Sequence, residues 1–140
     1  MMVSTKGRYA LRVMIDLAEH TNCDSNLIPM KEIAKRQQIS LKYLEKILPS
    51  LAKNNLIEGQ HGKGGGYCLT REPSAYRVGE ILRLTEGDLA PVACLACQAE
   101  PCRHTADCRT RPMWDGLHAL INDDLDSITI ADLMKPAERE

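Results

Sequence analysis

The sequence predicts a mainly α-helical fold that carries one small β-hairpin and ends in a long helix. Three observations lead there. Apolar residues recur at helical spacing through residues 6–19, 30–37, 41–54 and 110–125. Two of these stretches are separated only by the turn Gln38-Ile39-Ser40. A glycine-rich turn at 61–66 lies between two short strand-like runs.

The chain has 140 residues, of which 44% are apolar, enough for one domain with a real core. It has no Phe and one Trp, so that core must be mostly aliphatic. No apolar run approaches the ~18 residues needed to span a bilayer. The start, Met1 to Lys6, lacks a signal-peptide apolar region, which points to the cytoplasm. In that reducing compartment, clustered cysteines more often bind metal or sense redox state than staple a fold. The net charge of −1 hides an asymmetry: residues 1–63 balance at +4 and residues 64–140 at −5. A basic first half suits a polyanion-binding head, although ordinary surface variation gives the same balance.

The first helix, residues 6–19, has Tyr9, Ala10, Val13, Met14 and Leu17 on one side and Leu11, Ile15 and Ala18 on a second. So wide an apolar arc calls for cover on both sides, and a partner subunit could supply the second. Asn22–Asn26 reads as a loop holding Cys23 as an exposed, unengaged thiol. Pro29 suits the start of a second helix with Met30, Ile33 and Ala34 on one face. Ser40 is an N-cap for a third, Leu41 to about Asn54, with Leu44, Ile47, Leu48 and Leu51 inward. Pro49 should kink this helix or end it early, and Asn54-Asn55 can close it.

Two short helices joined by a tight turn form the helix-turn-helix pattern. Leu56–Gln60 and Tyr67–Thr70 then read as paired strands around the turn His61–Gly66, the wing of a winged helix-turn-helix. A phosphate-binding nucleotide loop is the weaker reading, because no G-K-[ST] follows the glycines and no helix opens after them. Cys68 on the return strand reads as a small buried hydrophobe.

A short helix at 78–86 places Val78, Ile81 and Leu82 inward. The stretch from Gly87 to Cys108 is then predicted to be structureless, and a loop that long calls for a functional explanation. It contains Cys94, Cys97, Cys102 and Cys108, spaced C-x2-C-x4-C-x5-C. Four thiolates this close suit an iron–sulfur cluster, a zinc ion or a thiol–disulfide switch. His104 is the other nearby ligand type, and more often such a residue is a solvated loop side chain. Beyond lie Met113, Trp114, Leu117, Leu120, Ile121 and Leu125 in a helical stripe, with Asn122-Asp123-Asp124 outward. Thr129–Asp132 is a capping box, with Ile128 and Leu133 as its hydrophobic staple, opening a short last helix. The tail 136–140 reads as frayed.

Ser4–Leu11, Ser40–Lys46 and Gly62–Tyr67 together resemble the bacterial IscR/NsrR/CymR family of winged helix-turn-helix transcription regulators. The resemblance runs from about residue 2 to 134. It implies a homodimer, with the long C-terminal helix pairing across the two-fold axis. In cluster-binding members, three cysteines just before that helix hold a 2Fe–2S or 4Fe–4S centre. The IscR-type pattern is C-x5-C-x5-C, then His three residues on and Trp six residues on. Cys102, Cys108 and Trp114 match it; Cys97 lies one residue too close, and Cys94 is extra. Arg111 stands where the family has its His, and Arg8 where NsrR-like members have an acidic ligand. The resemblance therefore implies Cys97, Cys102 and Cys108 as ligands, with Cys94 or His104 as the fourth.

Three regions follow. Residues 1–87 form a winged helix-turn-helix DNA-binding domain. Residues 88–108 form a cysteine-rich sensor loop, and 109–140 a dimerisation helix with the short helix. The DNA contacts fall to Ser40, Lys42, Tyr43 and Glu45 at the start of the recognition helix, and to His61 and Lys63 on the wing. Glu45 can accept from cytosine N4, or pair with Lys42 or Lys46 on the surface. IscR-type members have Arg at the position of His61. The reading is a cytoplasmic repressor of double-stranded operator DNA, sensing iron–sulfur, redox or nitric oxide status, with no membrane contact. The alternatives are a regulator with zinc or no cofactor, and a winged domain that binds protein. Nothing marks an enzyme: there is no Cys-x-x-Cys beside a βαβ unit.

Overall fold

The structure, a computed structural model, describes residues 3–20 and 26–135. Its helices are α1 (Thr5–His20), α2 (Met30–Gln37), α3 (Leu41–Lys53), α4 (Val78–Glu86), α5 (Arg111–Ser127) and α6 (Ile130–Leu133). Strands β1 (Ile57–Gln60) and β2 (Gly66–Leu69) pair antiparallel, Ile57 opposite Leu69 and Gln60 opposite Gly66. This is the mainly α winged helix-turn-helix expected.

Helix α1 is the central post. Ala10, Val13, Met14 and Leu17 are fully buried, and Tyr9, Leu11, Ile15 and Ala18 pack against the same core. Its contacts come from α2, α4, α6 and β2 of the same chain. On its second side Leu11, Ile15 and Ala18 remain only partly buried. A further exposed apolar face lies on α5, where Met113 is 56%, Leu117 38% and Leu120 69% exposed.

The helix-turn-helix is set by two local devices. Gln38 takes the left-handed conformation (φ 54°), ends α2 and turns the chain. Ser40 then caps α3, its hydroxyl accepting from the Tyr43 N–H at 3.1 Å. Leu44, Ile47, Leu48 and Leu51 are all fully buried, each worth roughly 1.5–3 kcal/mol relative to exposure. Pro49 does not end α3 early: the helix runs on to Lys53. Pro49 is exposed, so its ring sits on the solvent side while burial of the opposite face holds the helix together. Asn54 caps the end, and Asn55 turns the chain with φ 61°.

In the wing, Gly62 and Gly64 take positive φ at the tip (95° and 80°). Tyr67 exchanges two backbone hydrogen bonds with Ile28, each 2.9 Å, so the segment before α2 lies along β2. A Cβ at Gly66 would stand 2.5 Å from the Ile28 backbone, which explains the glycine there. Tyr76 ties the base of the wing to α4. Its buried hydroxyl donates to the Leu56 carbonyl (2.7 Å) and accepts from the N–H of Thr70 (2.9 Å) and of Arg71 (3.1 Å).

Cys68 is buried as expected, but it is disulfide-bonded rather than free. The Cys23 thiol and the frayed tail at 136–140 fall outside the described residues. The stretch after Gly87 is not wholly irregular: Leu89 packs with Val78 and Leu82, and Ala93–Leu95 form a 3₁₀ turn. Asn122 does not face out. It accepts two bonds from Arg83, which also reaches Asp126 at 2.7 Å, so α5 is bound to α4. The Thr129–Asp132 capping box forms, with bonds of 3.1 and 2.9 Å, while Leu133 stays 41% exposed.

Candidate DNA-binding surface and cysteine loop

Ser40, Lys42 and Glu45 are exposed at the first turns of α3, and Tyr43 is half-buried. Glu45 has no ion-pair partner among the described residues, so the surface pairing with Lys42 or Lys46 does not form. Tyr43 is held by the edge of Tyr9 (ring centroids 5.3 Å apart), over which the Arg12 guanidinium stacks at 5.3 Å. Arg12 also donates to the side chain and backbone oxygens of Gln37. His61 and Lys63 are exposed on the wing tip.

Behind this surface lies a buried charge. Asp16, with no exposed surface, accepts from Arg36 Nε (3.0 Å), another Arg36 nitrogen (2.8 Å) and Gln37 Nε2 (2.9 Å). Burial opposes its ionisation, but the bonds from Arg36 and Gln37 and the Arg36 charge outweigh burial. They hold the carboxyl below its ordinary range. The network fixes α1 to the last turn of α2, the residue before the helix-turn-helix turn.

The four cysteines of the 88–108 loop are all free. Cys94 lies half-buried in the 3₁₀ turn, and Cys97 and Cys102 are exposed. Cys108 is half-buried just before α5, its sulfur 3.4 Å from the Thr110 hydroxyl. That hydroxyl, and then the Thr110 and Arg111 backbone N–H groups, hold the Cys108 thiol below the usual thiol range. Arg111 donates to Asp115 at 3.0 Å. Asp115 first, and the nearby Cys94 and Cys108 sulfurs after it, stabilise the guanidinium charge. His104 is exposed on the outer lobe.

Four thiols suit a soft centre by their chemistry. Cys108 lies at the start of α5, the Cys97 backbone is tied to the end of α4, and Cys102 stays on the exposed lobe. Among the described residues, no three Cys, His, Asp or Glu side chains stand close enough to hold a metal. The residues that organise the loop were not legible from cysteine spacing. Asp88, directly after the helix-ending Gly87, accepts from the Ala90 N–H (3.0 Å) and the Cys97 N–H (3.2 Å). Its place after a helix-stopping glycine was the one available signal. Glu86 accepts from the Ser4 N–H (3.1 Å) and hydroxyl (2.6 Å), tying the start of α1 to the end of α4.

A capped recognition helix, a glycine-tipped wing and an apolar C-terminal helix define a helix-turn-helix transcription regulator rather than an enzyme. Residues 3–136 match the Rrf2 family, described as an iron-dependent transcriptional regulator, and the chain belongs to that family. It is 35% identical over 138 residues to the HTH-type transcriptional regulator IscR of Erwinia tasmaniensis, covering 99% of this chain and 81% of that one. Among solved structures it is similar to CymR, the global cysteine regulator of B. subtilis. The two agree with a TM-score of 0.75 and 33% identity over 95% of each chain. T. potens IscR superposes with a TM-score of 0.72 and 34% identity, over 95% of this chain and 85% of that one. Such regulators bind DNA. Among the described residues, no helix is long and apolar enough to cross a membrane.

Proposed function

We propose that the chain is a homodimeric repressor that binds operator DNA and reads iron–sulfur, redox or nitric oxide status through its 88–108 loop. The observation that carries this reading is the concentration of four free thiols on the one segment joining α4 to α5. Cys97, Cys102 and Cys108 serve as ligands, and Cys94 completes an all-cysteine set. Cys94 is preferred over His104 because it is a half-buried thiol of the same soft-ligand type, whereas His104 is out on the exposed lobe. An iron–sulfur centre, when bound, supplies a redox- and nitric-oxide-sensitive crosslink. The chain supplies two anchors for it, at the end of α4 and the start of α5, and an exposed lobe that must fold inward between them.

The stripe Met113, Leu117 and Leu120 repeats at helical spacing on one exposed face of α5, which suits pairing with a second copy. Because α5 is tied to α4 through Arg83, a change in loop order reaches the dimer helix and hence the separation of the two recognition helices. Those helices must match half-sites about 34 Å apart. Ser40, Lys42, Tyr43 and Glu45 contact the major groove, and His61 and Lys63 contact phosphate or the minor groove.

Anaerobic purification with iron and sulfide analysis and visible absorption tests the cofactor. A coloured protein with matched iron and sulfide is expected; a colourless, iron-free protein with stoichiometric zinc would overturn the iron–sulfur reading. Steeply salt-dependent binding to the DNA upstream of its own gene tests the DNA role.

A further inference from the structure

We propose that Asp88 is the positioning residue of the sensor loop: its carboxylate clamps Cys97 to the end of α4 and thereby sets one fixed corner of the cysteine site. This deepens the reading of the loop as a cluster site and rests on it.

The geometry is specific. Gly87 ends α4 in a positive-φ conformation (87°), and its N–H bonds back to the Arg83 carbonyl at 2.8 Å. Asp88 is therefore delivered from a rigid helix end rather than from a mobile loop. One carboxylate oxygen takes the Ala90 N–H and the other the Cys97 N–H, closing nine residues of chain. Leu89, 2% exposed, pins the same point into the core against Val78 and Leu82. Asp88 and Cys97 together line a pocket with Gly87, Ala96, Gln98 and Ala99. On the far side, Cys108 is fixed by Thr110 at the start of α5. Beyond Cys97, the lobe to Asp107 is exposed throughout and is held only by short-range bonds. The Cys97 backbone and the Cys108 sulfur thus have defined anchors beside two different helices, and Asp88 is the anchor for the first. Hydrogen bonds from backbone N–H to an ionised carboxylate are of the stronger kind, so this clamp can hold an otherwise free loop.

The experiment compares the full-length protein with Asp88→Ala and Asp88→Asn, the latter retaining one acceptor oxygen. In the metal-free protein, amide hydrogen exchange of the segment around Cys97 should quicken roughly threefold or more in Asp88→Ala, and less in Asp88→Asn. Exchange in α1 and α3 should not change. In anaerobically reconstituted protein, bleaching of the visible absorption by an iron chelator should quicken in the same order. Unchanged exchange around Cys97 in Asp88→Ala overturns the clamp, whether or not the wild type takes up a cluster. Faster exchange with unchanged bleaching overturns its service to the centre. If the wild type takes up no iron, the cluster reading fails, while the exchange measurement still decides the clamp.

Discussion

Replacing Asp16 with alanine should cost the fold about 3 kcal/mol at neutral pH, the low end of the ~3–5 kcal/mol expected for breaking a buried ion pair. The carboxylate has no exposed surface and receives two bonds from Arg36 and one from Gln37. Its loss strands those donors. The Arg36 side chain is 31% exposed and also approaches Glu32 at 3.5 Å, so it can turn to solvent, which keeps the cost from the upper end. In a domain of this size, about 3 kcal/mol lowers the melting temperature by roughly 10 °C. Urea unfolding followed by circular dichroism measures it, with Glu32→Ala as the control. Glu32 is 55% exposed, so its loss should cost under about 0.5 kcal/mol. The pH dependence has a definite sign. The folded Asp16 carboxyl sits below its unfolded value of about 3.9, so its contribution is present above that pH. It is lost as pH falls through the folded value. The gap between wild type and Asp16→Asn should therefore narrow below about pH 4. An Asp16→Ala variant no less stable than Glu32→Ala, or a gap that widens in acid, would refute the reasoning.

Three further outcomes follow from the same geometry. Tyr76→Phe removes the hydroxyl that joins Leu56, Thr70 and Arg71, and should lower unfolding free energy by roughly 1–3 kcal/mol without changing the far-ultraviolet spectrum. Gly66→Ala drives a Cβ to 2.5 Å from the Ile28 backbone, and should cost about 1–3 kcal/mol in urea unfolding by forcing the wing off its neighbouring segment. Lys63→Ala on the exposed wing tip should weaken DNA binding nearly equally across sequences and reduce the salt slope by about 1 per chain, measured by fluorescence anisotropy.

Several helix ends were legible because they carry their own stop and start chemistry. Ser40, Asn54-Asn55 and Thr129–Asp132 act within a few residues, and the structure uses all of them. The fate of Pro49 was not legible. Whether a proline breaks a helix depends on which side its ring faces and what holds the opposite side, and that is a matter of packing. Asn122 read as outward-facing because its partner Arg83 lies on another helix, 39 residues earlier. The apolar arc of α1 likewise states that burial is needed, not that α2, α4, α6 and β2 provide it on one side.

The sequence by itself determined the order of helices, the helix-turn-helix, the wing and the concentration of four cysteines before the last long helix. These are written in local spacing, capping residues and glycines, which act over one or two turns of chain. Only the tertiary structure decided that α1 packs against α2, α4, α6 and β2, that α5 keeps an open apolar face and that Asp16 binds α1 to the end of α2. It also decided that the Cys97 backbone and the Cys108 sulfur are anchored beside different helices while Cys102 is left on an exposed lobe. Those facts depend on partners far apart in the chain, and no local pattern encodes which distant residue fills a given space.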